Sequence, residues 1–165
     1  MEQDIGHVRG IVRTTDALFV TSAVVPGIAA ADAFDANDAV GDVFAIRVPK
    51  VGIIEGFKLI DRDDDTLALT AHFFTRKFTG AASDAAFTIS AYDSEAWVTS
   101  VTFDAPLDIG SAKVAEETGS SFYFAPEGFL WCQCSTTGTP NIAVGASPIL
   151  VLCIRVGQEV SLGNV

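Results

Sequence analysis

Apolar and polar residues alternate with a period of two along much of the chain, and this pattern is typical of β-strands. The clearest case is residues 66–74, where every second side chain from Leu67 to Phe73 is apolar and the residues between them include Thr70 and His72. Residues 147–156 (SPILVLCIRV) are apolar on both sides instead. That run predicts a strand in the centre of a sheet, covered on both faces.

Turn signals divide the chain into about eight such strands, spaced roughly every 8–15 residues, and no long helical pattern is present. The sequence therefore predicts an all-β protein. The predicted strands are residues 18–25, 42–48, 51–60, 66–74, 97–103, 121–124, 129–135 and 147–156, with a short strand or strand entry at 87–89 and an unassigned stretch at 112–117.

Two polar turns predict β-hairpins. Residues 61–65 (DRDDD) separate the strands at 51–60 and 66–74, and residues 125–128 (APEG) separate those at 121–124 and 129–135. We also expect one helical turn within residues 90–96, with Ser90 as its N-cap and Asp93 at the third helical position.

Uneven strand lengths and long loops favour a jelly-roll-like β-sandwich over a closed barrel. Residues 1–17 show little periodicity and are predicted to be an extended N-terminal arm, whereas residues 18–165 are predicted to form a single β-sandwich domain. Open sheets have edges that must be hidden, and association with other copies is one way to hide them.

The charge balance narrows the class of partner. The 165 residues carry 10 Lys and Arg against 21 Asp and Glu, a formal net charge of −11. Such a chain repels phosphate backbones and anionic membrane surfaces, so neither nucleic acid nor membrane is expected as a partner. Neither a signal peptide nor a membrane-spanning run is evident, which predicts a protein made in the cytoplasm.

The acidic turn imitates part of a calcium-binding loop. Asp61, Asp63 and Asp65 occupy positions 1, 3 and 5 of that pattern, but Thr66 stands where a glycine is needed and His72 where a bidentate Glu is needed. A solvated turn is the favoured interpretation, and a weak cation site stays open as an alternative. We predict no metal site and no cofactor.

Conventional catalytic groups are scarce, which predicts a protein without enzymatic activity. The two histidines are His7, in the predicted arm, and His72, on a strand. Cys132 and Cys134 point to one face of a strand, and with Cys153 they are expected to be buried free thiols rather than zinc ligands. No nucleophile motif or phosphate-binding loop is present.

Three aromatic residues offer a different possibility. Tyr92, Trp97 and Trp131 would form a sugar-binding platform if they were exposed, whereas packing in the core or at a subunit interface is the alternative.

A set of short segments follows in a fixed order along the chain: residues 37–42 (NDAVGD), 52–54 (GII), 60–61 (ID), 67–74 (LALTAHFF) and 84–87 (DAAF), followed by Ser90 and Asp93. In their order and spacing, these segments resemble a group of small virion proteins of tailed bacteriophages. The resemblance covers roughly residues 16–156 and implies a jelly-roll-like capsid decoration, or cement, protein, commonly a trimer that clamps adjacent major capsid subunits. The family has no catalytic residues.

The resemblance thus predicts a protein of the virion surface that binds the major capsid protein as a homotrimer and stabilises the head. The basic N-terminal stretch departs from the family pattern and is expected to act as a docking arm. A carbohydrate-binding jelly roll in a host-adsorption or tail structure is the alternative. Basic residues in an acidic chain are the predicted capsid contacts, and they are His7, Arg9, Arg13, Lys50, Arg76 and Lys77.

Overall fold

Two antiparallel β-sheets packed against each other make up the computed structural model, which describes residues 17–28, 34–63, 67–104, 106–143 and 145–157. Within these residues the elements, in chain order, are β1 (Ala17–Val24), β2 (Ala39–Arg47), β3 (Val51–Asp61), β4 (Leu69–Phe74), α1 (Ala91–Ser94), β5 (Trp97–Phe103), β6 (Leu107–Asp108), β7 (Lys113–Phe124), β8 (Phe129–Thr136) and β9 (Ile149–Val156).

The strands pair in a nested order that defines a jelly roll. A five-stranded sheet has the order β1-β9-β3-β7-β6, and a four-stranded sheet has the order β2-β8-β4-β5. β1 therefore pairs with β9, β2 with β8, β3 with β7, and β4 with β5, all antiparallel. The predicted all-β, jelly-roll-like sandwich is confirmed.

Both predicted hairpins are wrong. β3 belongs to the five-stranded sheet and β4 to the four-stranded sheet, and the same separation holds for β7 and β8. Turn chemistry marks where a chain reverses, but it does not determine whether the next strand pairs alongside or crosses to the opposite sheet. At both turns the chain passes from one sheet to the other, and the next strand then packs its apolar side against the core from the opposite sheet.

The predicted short strand or strand entry at residues 87–89 is also wrong, because these residues form no strand. The adjacent Ala86 forms a single β-bridge with Asp38, beside the first residues of β2. β2 itself begins at Ala39, three residues before the predicted start, because Ala39 and Val40 already pair with Ser135 and Cys134 of β8. Residues 113–117 of the unassigned stretch and residues 121–124, in turn, belong to the one long strand β7.

The alternating strand at 69–74 has the predicted faces. Leu69, Ala71 and Phe73 are buried between the sheets, and the ring of Phe73 lies 5.5 Å from that of Phe57 in the other sheet. Burial of one such side chain is worth about 1.5–3 kcal/mol. The predicted helical turn is also confirmed, since the Ser90 hydroxyl accepts a hydrogen bond from the Asp93 backbone N–H at 3.0 Å.

β9 lies inside its sheet, between β1 and β3, as predicted. Leu150, Leu152 and Ile154 point into the core and are buried. Val151 and Cys153 point the other way and stay partly exposed, so the prediction that both faces are covered is wrong. The outer side of this strand is therefore an apolar part of the protein surface.

Candidate interaction surface

The outer face of the four-stranded sheet is covered in part by the chain itself. Residues 77–96, which lie in the connection from β4 to β5, fold back over its central strands, and we call them the covering segment. Outward side chains of the two edge strands, such as Ala45 of β2 and Thr102 of β5, stay exposed. Phe78 and Ala96 of this segment are buried against Phe74 of β4, with Trp131 of β8 packed beside them. The aromatic rings of Phe74 and Phe78 lie 4.1 Å apart.

Polar contacts also fix the covering segment. The buried side chain of Gln133 donates to the carbonyl oxygens of Gly41, at 2.9 Å, and Ala81, at 2.7 Å, and it accepts from the Ala81 N–H at 3.1 Å. The His72 ring stacks on Phe87 with 4.2 Å between ring centroids. The Gln133 side chain on β8 therefore links the covering segment to β2 as well as to β8.

His72 is held as a structural group of this face. Its Nδ1 lies 2.8 Å from the hydroxyl of Ser100, and its Nε2 lies 3.0 Å from that of Ser135. Burial lowers the pKa of His72 to about 4, because the charged imidazolium would lose its solvation. The ring is therefore neutral at pH 7, with both nitrogens in hydroxyl contacts.

The outer face of the five-stranded sheet carries a continuous apolar surface, which we call the open face. Strand register places its residues on one side of the sheet. All of them are exposed or partly exposed. They are Leu18, Val20 and Val24 of β1, Ile149, Val151 and Cys153 of β9, Val51, Ile53 and Ile60 of β3, Val114, Phe122 and Phe124 of β7, and Leu107 of β6.

The charged side chains of the open face neutralise one another. Lys58 Nζ lies 2.6 Å from Glu116 Oε1, and Arg155 Nε lies 2.6 Å from Glu55 Oε1. Two acids and two bases sum to zero, so the net charge of −11 resides elsewhere in the chain. In a strongly acidic protein, this face is both apolar and neutral.

A shallow depression of about 340 Å³ lies in the open face where Gly56 leaves a gap opposite Cys153. Val20 and Val151 line it on the side of β1 and β9, and Lys58 lies on its other side. The depression is open to solvent and mainly apolar, so it is suited to receive an apolar side chain from another molecule.

The predicted basic contacts that are described lie at one end of the sandwich. β2 and β4 both end beside the start of β8, which places Lys50, Arg76 and Lys77 there. Ala17, which pairs with Val156, lies at the same end, so the predicted arm joins the sandwich near these residues. His7, Arg9 and Arg13 lie outside the described residues.

The three described basic residues differ in their surroundings. Arg76 contacts its own chain, since it donates to the carbonyl oxygen of Tyr92, lies 4.1 Å above the Tyr92 ring and is 3.8 Å from Glu95. It therefore holds α1 in place. Lys50 and Lys77 are exposed, and the Lys77 ammonium lies 5.5 Å from the ring of Trp131.

The acidic turn is organised by backbone hydrogen bonds. Asp61 accepts from the N–H of Asp63 at 3.0 Å, and Asp63 accepts from the N–H of Ala143. Asp65 lies outside the described residues. Across the described part of the chain, no group of three or more His, Cys, Asp or Glu side chains is placed to hold a metal ion.

The cysteines follow the predicted geometry in part. Cys132 and Cys134 are buried side by side on the core face of β8, and burial raises the pKa of the Cys132 thiol. Cys153 is free as well but only partly buried, because it lies on the open face.

The sequence pattern did not predict the open face. Its residues come from five strands, most of them far apart in the chain, so only the sheet order brings them together. A usable signal was present in the alternation of β7 and in the apolar residues Leu18 and Val20 on the solvent side of β1.

Comparisons with known proteins add no family to this picture. A scan against protein-family models finds no match, and a search of curated proteins finds no similar sequence. Within the described residues, no helix is long and apolar enough to cross a membrane.

Proposed function

We propose that this chain is a non-enzymatic structural protein of a bacteriophage virion, which associates with copies of itself, as a trimer, and binds the outer surface of the capsid. The observation that carries the proposal is the open face. A contiguous apolar and neutral surface of this kind is typical of an assembling protein. The sequence resemblance to decoration proteins supplies the phage context.

The physical logic of decoration is additive. Each apolar square ångström removed from water contributes about 25 cal/mol, so covering the open face favours association. An oligomer then presents several copies of one capsid-binding surface, and weak single contacts gain avidity. Because the protein binds the assembled shell and not separated subunits, binding stabilises the head.

The capsid contacts are proposed at the end of the sandwich that carries Lys50 and Lys77. These exposed basic side chains stand out in an acidic protein and suit acidic loops of a capsid subunit. Arg76 is a weaker candidate than its neighbours, since its guanidinium already contacts Tyr92 and Glu95. His7, Arg9 and Arg13 of the predicted arm stay in the proposal as further contacts.

Purified phage particles test this function directly. Heads of the phage that encodes the chain are purified through a density gradient, and the copy number of the chain relative to the major capsid protein is measured. We expect a fixed ratio that fits the capsid symmetry, and earlier loss of genome on heating in particles that lack the chain. Particles free of the chain would refute the proposal.

A carbohydrate-binding role is the second candidate, and one observation favours it. Tyr92 and Trp97 are both exposed, and Tyr92 borders a shallow pocket of about 520 Å³ together with Lys77, Ser90 and Asp93. Trp131 is partly covered and contributes less to such a platform. Glycan-array binding that Trp97→Ala abolishes would favour this role, whereas an absence of binding to any glycan would count against it.

A further inference from the structure

We infer that the open face is the surface through which two copies of this chain bind each other. This inference deepens the proposed function, since it rests on the self-association proposed there and names the contact that performs it. The occupant is a second copy, not the capsid. In the proposed trimer, three such faces would surround the threefold axis.

Charge is the first reason to assign a second copy. Because Lys58 pairs with Glu116 and Arg155 with Glu55, two open faces meet without repulsion. The excess acidic charge lies outside the open face and disfavours contact elsewhere between identical chains. A strongly charged partner would gain nothing from a neutral surface, whereas an identical copy matches it.

The size of the face is the second reason. With strands about 4.8 Å apart and about 3.4 Å per residue, four strands of eight residues span roughly 19 by 27 Å, about 500 Å² in projection. A corrugated surface of this extent offers an accessible area of the order that stable interfaces bury on each partner, about 800 Å². The open face is therefore large enough to hold an oligomer together.

The edge of the sheet is the third reason. β1 pairs with β9 alone among the described strands, so its other side is an eight-residue edge. Leu18 and Val20 on this edge strand are 63% and 61% exposed, and no charged residue lies within β1. An apolar, uncharged edge of this length is prone to association unless another chain covers it.

Cys153 provides a built-in reporter for this contact. Of the three cysteines in the chain, Cys132 and Cys134 are buried in the core, whereas Cys153 lies partly exposed at the depression in the open face. A thiol reagent such as dithiobis(nitrobenzoate) should therefore modify Cys153 first. Its labelling rate measures how much of the open face is covered.

The experiment compares the full chain with a matched pair of variants. Phe122→Glu places a charge in the open face at a side chain that is 68% exposed, and Tyr92→Glu places the same charge at one that is 67% exposed on the covering segment. Leu18→Glu repeats the test on another strand. Such exposed positions leave the core intact, and circular dichroism verifies folding.

We expect Cys153 in the full chain and in Tyr92→Glu to be labelled at least about tenfold more slowly at high than at low protein concentration, because association follows mass action. Phe122→Glu and Leu18→Glu should label rapidly at every concentration. Labelling of the full chain that is equally fast at every concentration would overturn the inference. So would protection in a monomer that does not change on dilution, since another part of the same chain would then cover the face.

The same labelling on phage particles separates this inference from the proposed function. Protection that appears only on the particle would assign the open face to the capsid and overturn the inference while supporting decoration. Concentration-dependent protection of a chain that is absent from particles would support the inference and refute decoration.

Discussion

The two sheets of this jelly roll treat their outer faces in opposite ways. The central strands of the four-stranded sheet are covered by residues 77–96 of the same chain, held by Phe78 and by the hydrogen bonds of Gln133, whereas outward side chains of its edge strands β2 and β5 stay exposed. The five-stranded sheet has no such cover among the described residues and presents the apolar open face. Apolar side chains on one outer face are thus covered by the same chain, and those on the other are covered, as we infer, by another copy of it.

Apolar side chains on the outer faces of the two sheets therefore contribute to different free energies. On the covered face, apolar side chains contribute to the stability of a single chain. On the open face, equivalent side chains contribute little until a partner arrives. Substitutions that separate the stability of one chain from association between chains test whether this difference is real.

The strongest effect is expected from a matched pair of phenylalanine substitutions. Phe78→Ala removes a buried ring between the covering segment and β4, and should lower the free energy of unfolding by about 3–5 kcal/mol. Phe122→Ala removes an exposed ring from the open face, and should change the stability of the monomer by less than about 1 kcal/mol. Urea unfolding in dilute solution measures both. Equal effects would remove the distinction between the faces.

Gln133→Ala should give the next largest loss. It leaves the N–H of Ala81 and the carbonyl oxygens of Ala81 and Gly41 without this partner, at a cost of about 2–3 kcal/mol in unfolding free energy. Thr70→Ala is the control, because it breaks an exposed hydroxyl contact with Thr102 in the same sheet and should cost less than about 1 kcal/mol. Amide exchange in residues 78–82 should speed up only in the first variant. Unchanged exchange there would mean that Gln133 does not hold the segment.

The pH dependence of stability tests the environment of His72 beneath the covering segment. Its pKa falls from 6.5 in the unfolded chain to about 4 in the folded one, so between these values the unfolded state binds more protons. Protonation of His72 therefore does not affect the free energy of unfolding above about pH 6.5. Below that pH the free energy of unfolding falls towards pH 4, by no more than about 1.4 kcal/mol per pH unit. His72→Gln should remove this part of the acid sensitivity, and His7→Gln should not. Identical pH profiles for the two variants would contradict the assignment.

The weakest effect on stability is expected at the ion pair of the open face. Glu116→Gln breaks an exposed pair with Lys58 and should cost less than about 1 kcal/mol of unfolding free energy. It leaves an unpaired charge on the face, so association should weaken noticeably, and the double variant with Lys58→Gln should recover it. Sedimentation velocity compares the three proteins. Association that is equal in all of them would show that the neutrality of the face is irrelevant.

Much of the fold was predictable from the sequence because period-two alternation reports burial directly. It correctly placed Leu69, Ala71 and Phe73 in the core and Cys132 beside Cys134 on one face. The pairing of strands was not predictable from the turns. The acidic turn after Asp61 reads the same whether the chain returns within a sheet or crosses to the other one.

The candidate surface was harder to predict for a related reason. Val20 and Cys153 are far apart in the chain, yet they are directly paired in the five-stranded sheet. The sequence analysis placed the predicted contacts at basic residues instead, and one of them, Arg76, contacts Tyr92 and Glu95 of its own chain. Local signals were present in β1 and β7, but only the sheet order and register place them on one face.

Self-association through the open face is tested best by the molar mass of the full chain in solution, measured by light scattering across a range of concentrations. We predict a multiple of the 17.3 kDa chain mass at micromolar concentration, and a fall to the monomer in Phe122→Glu but not in Tyr92→Glu. A monomer at every concentration, or an oligomer that Phe122→Glu and Leu18→Glu leave intact, would contradict self-association through this face.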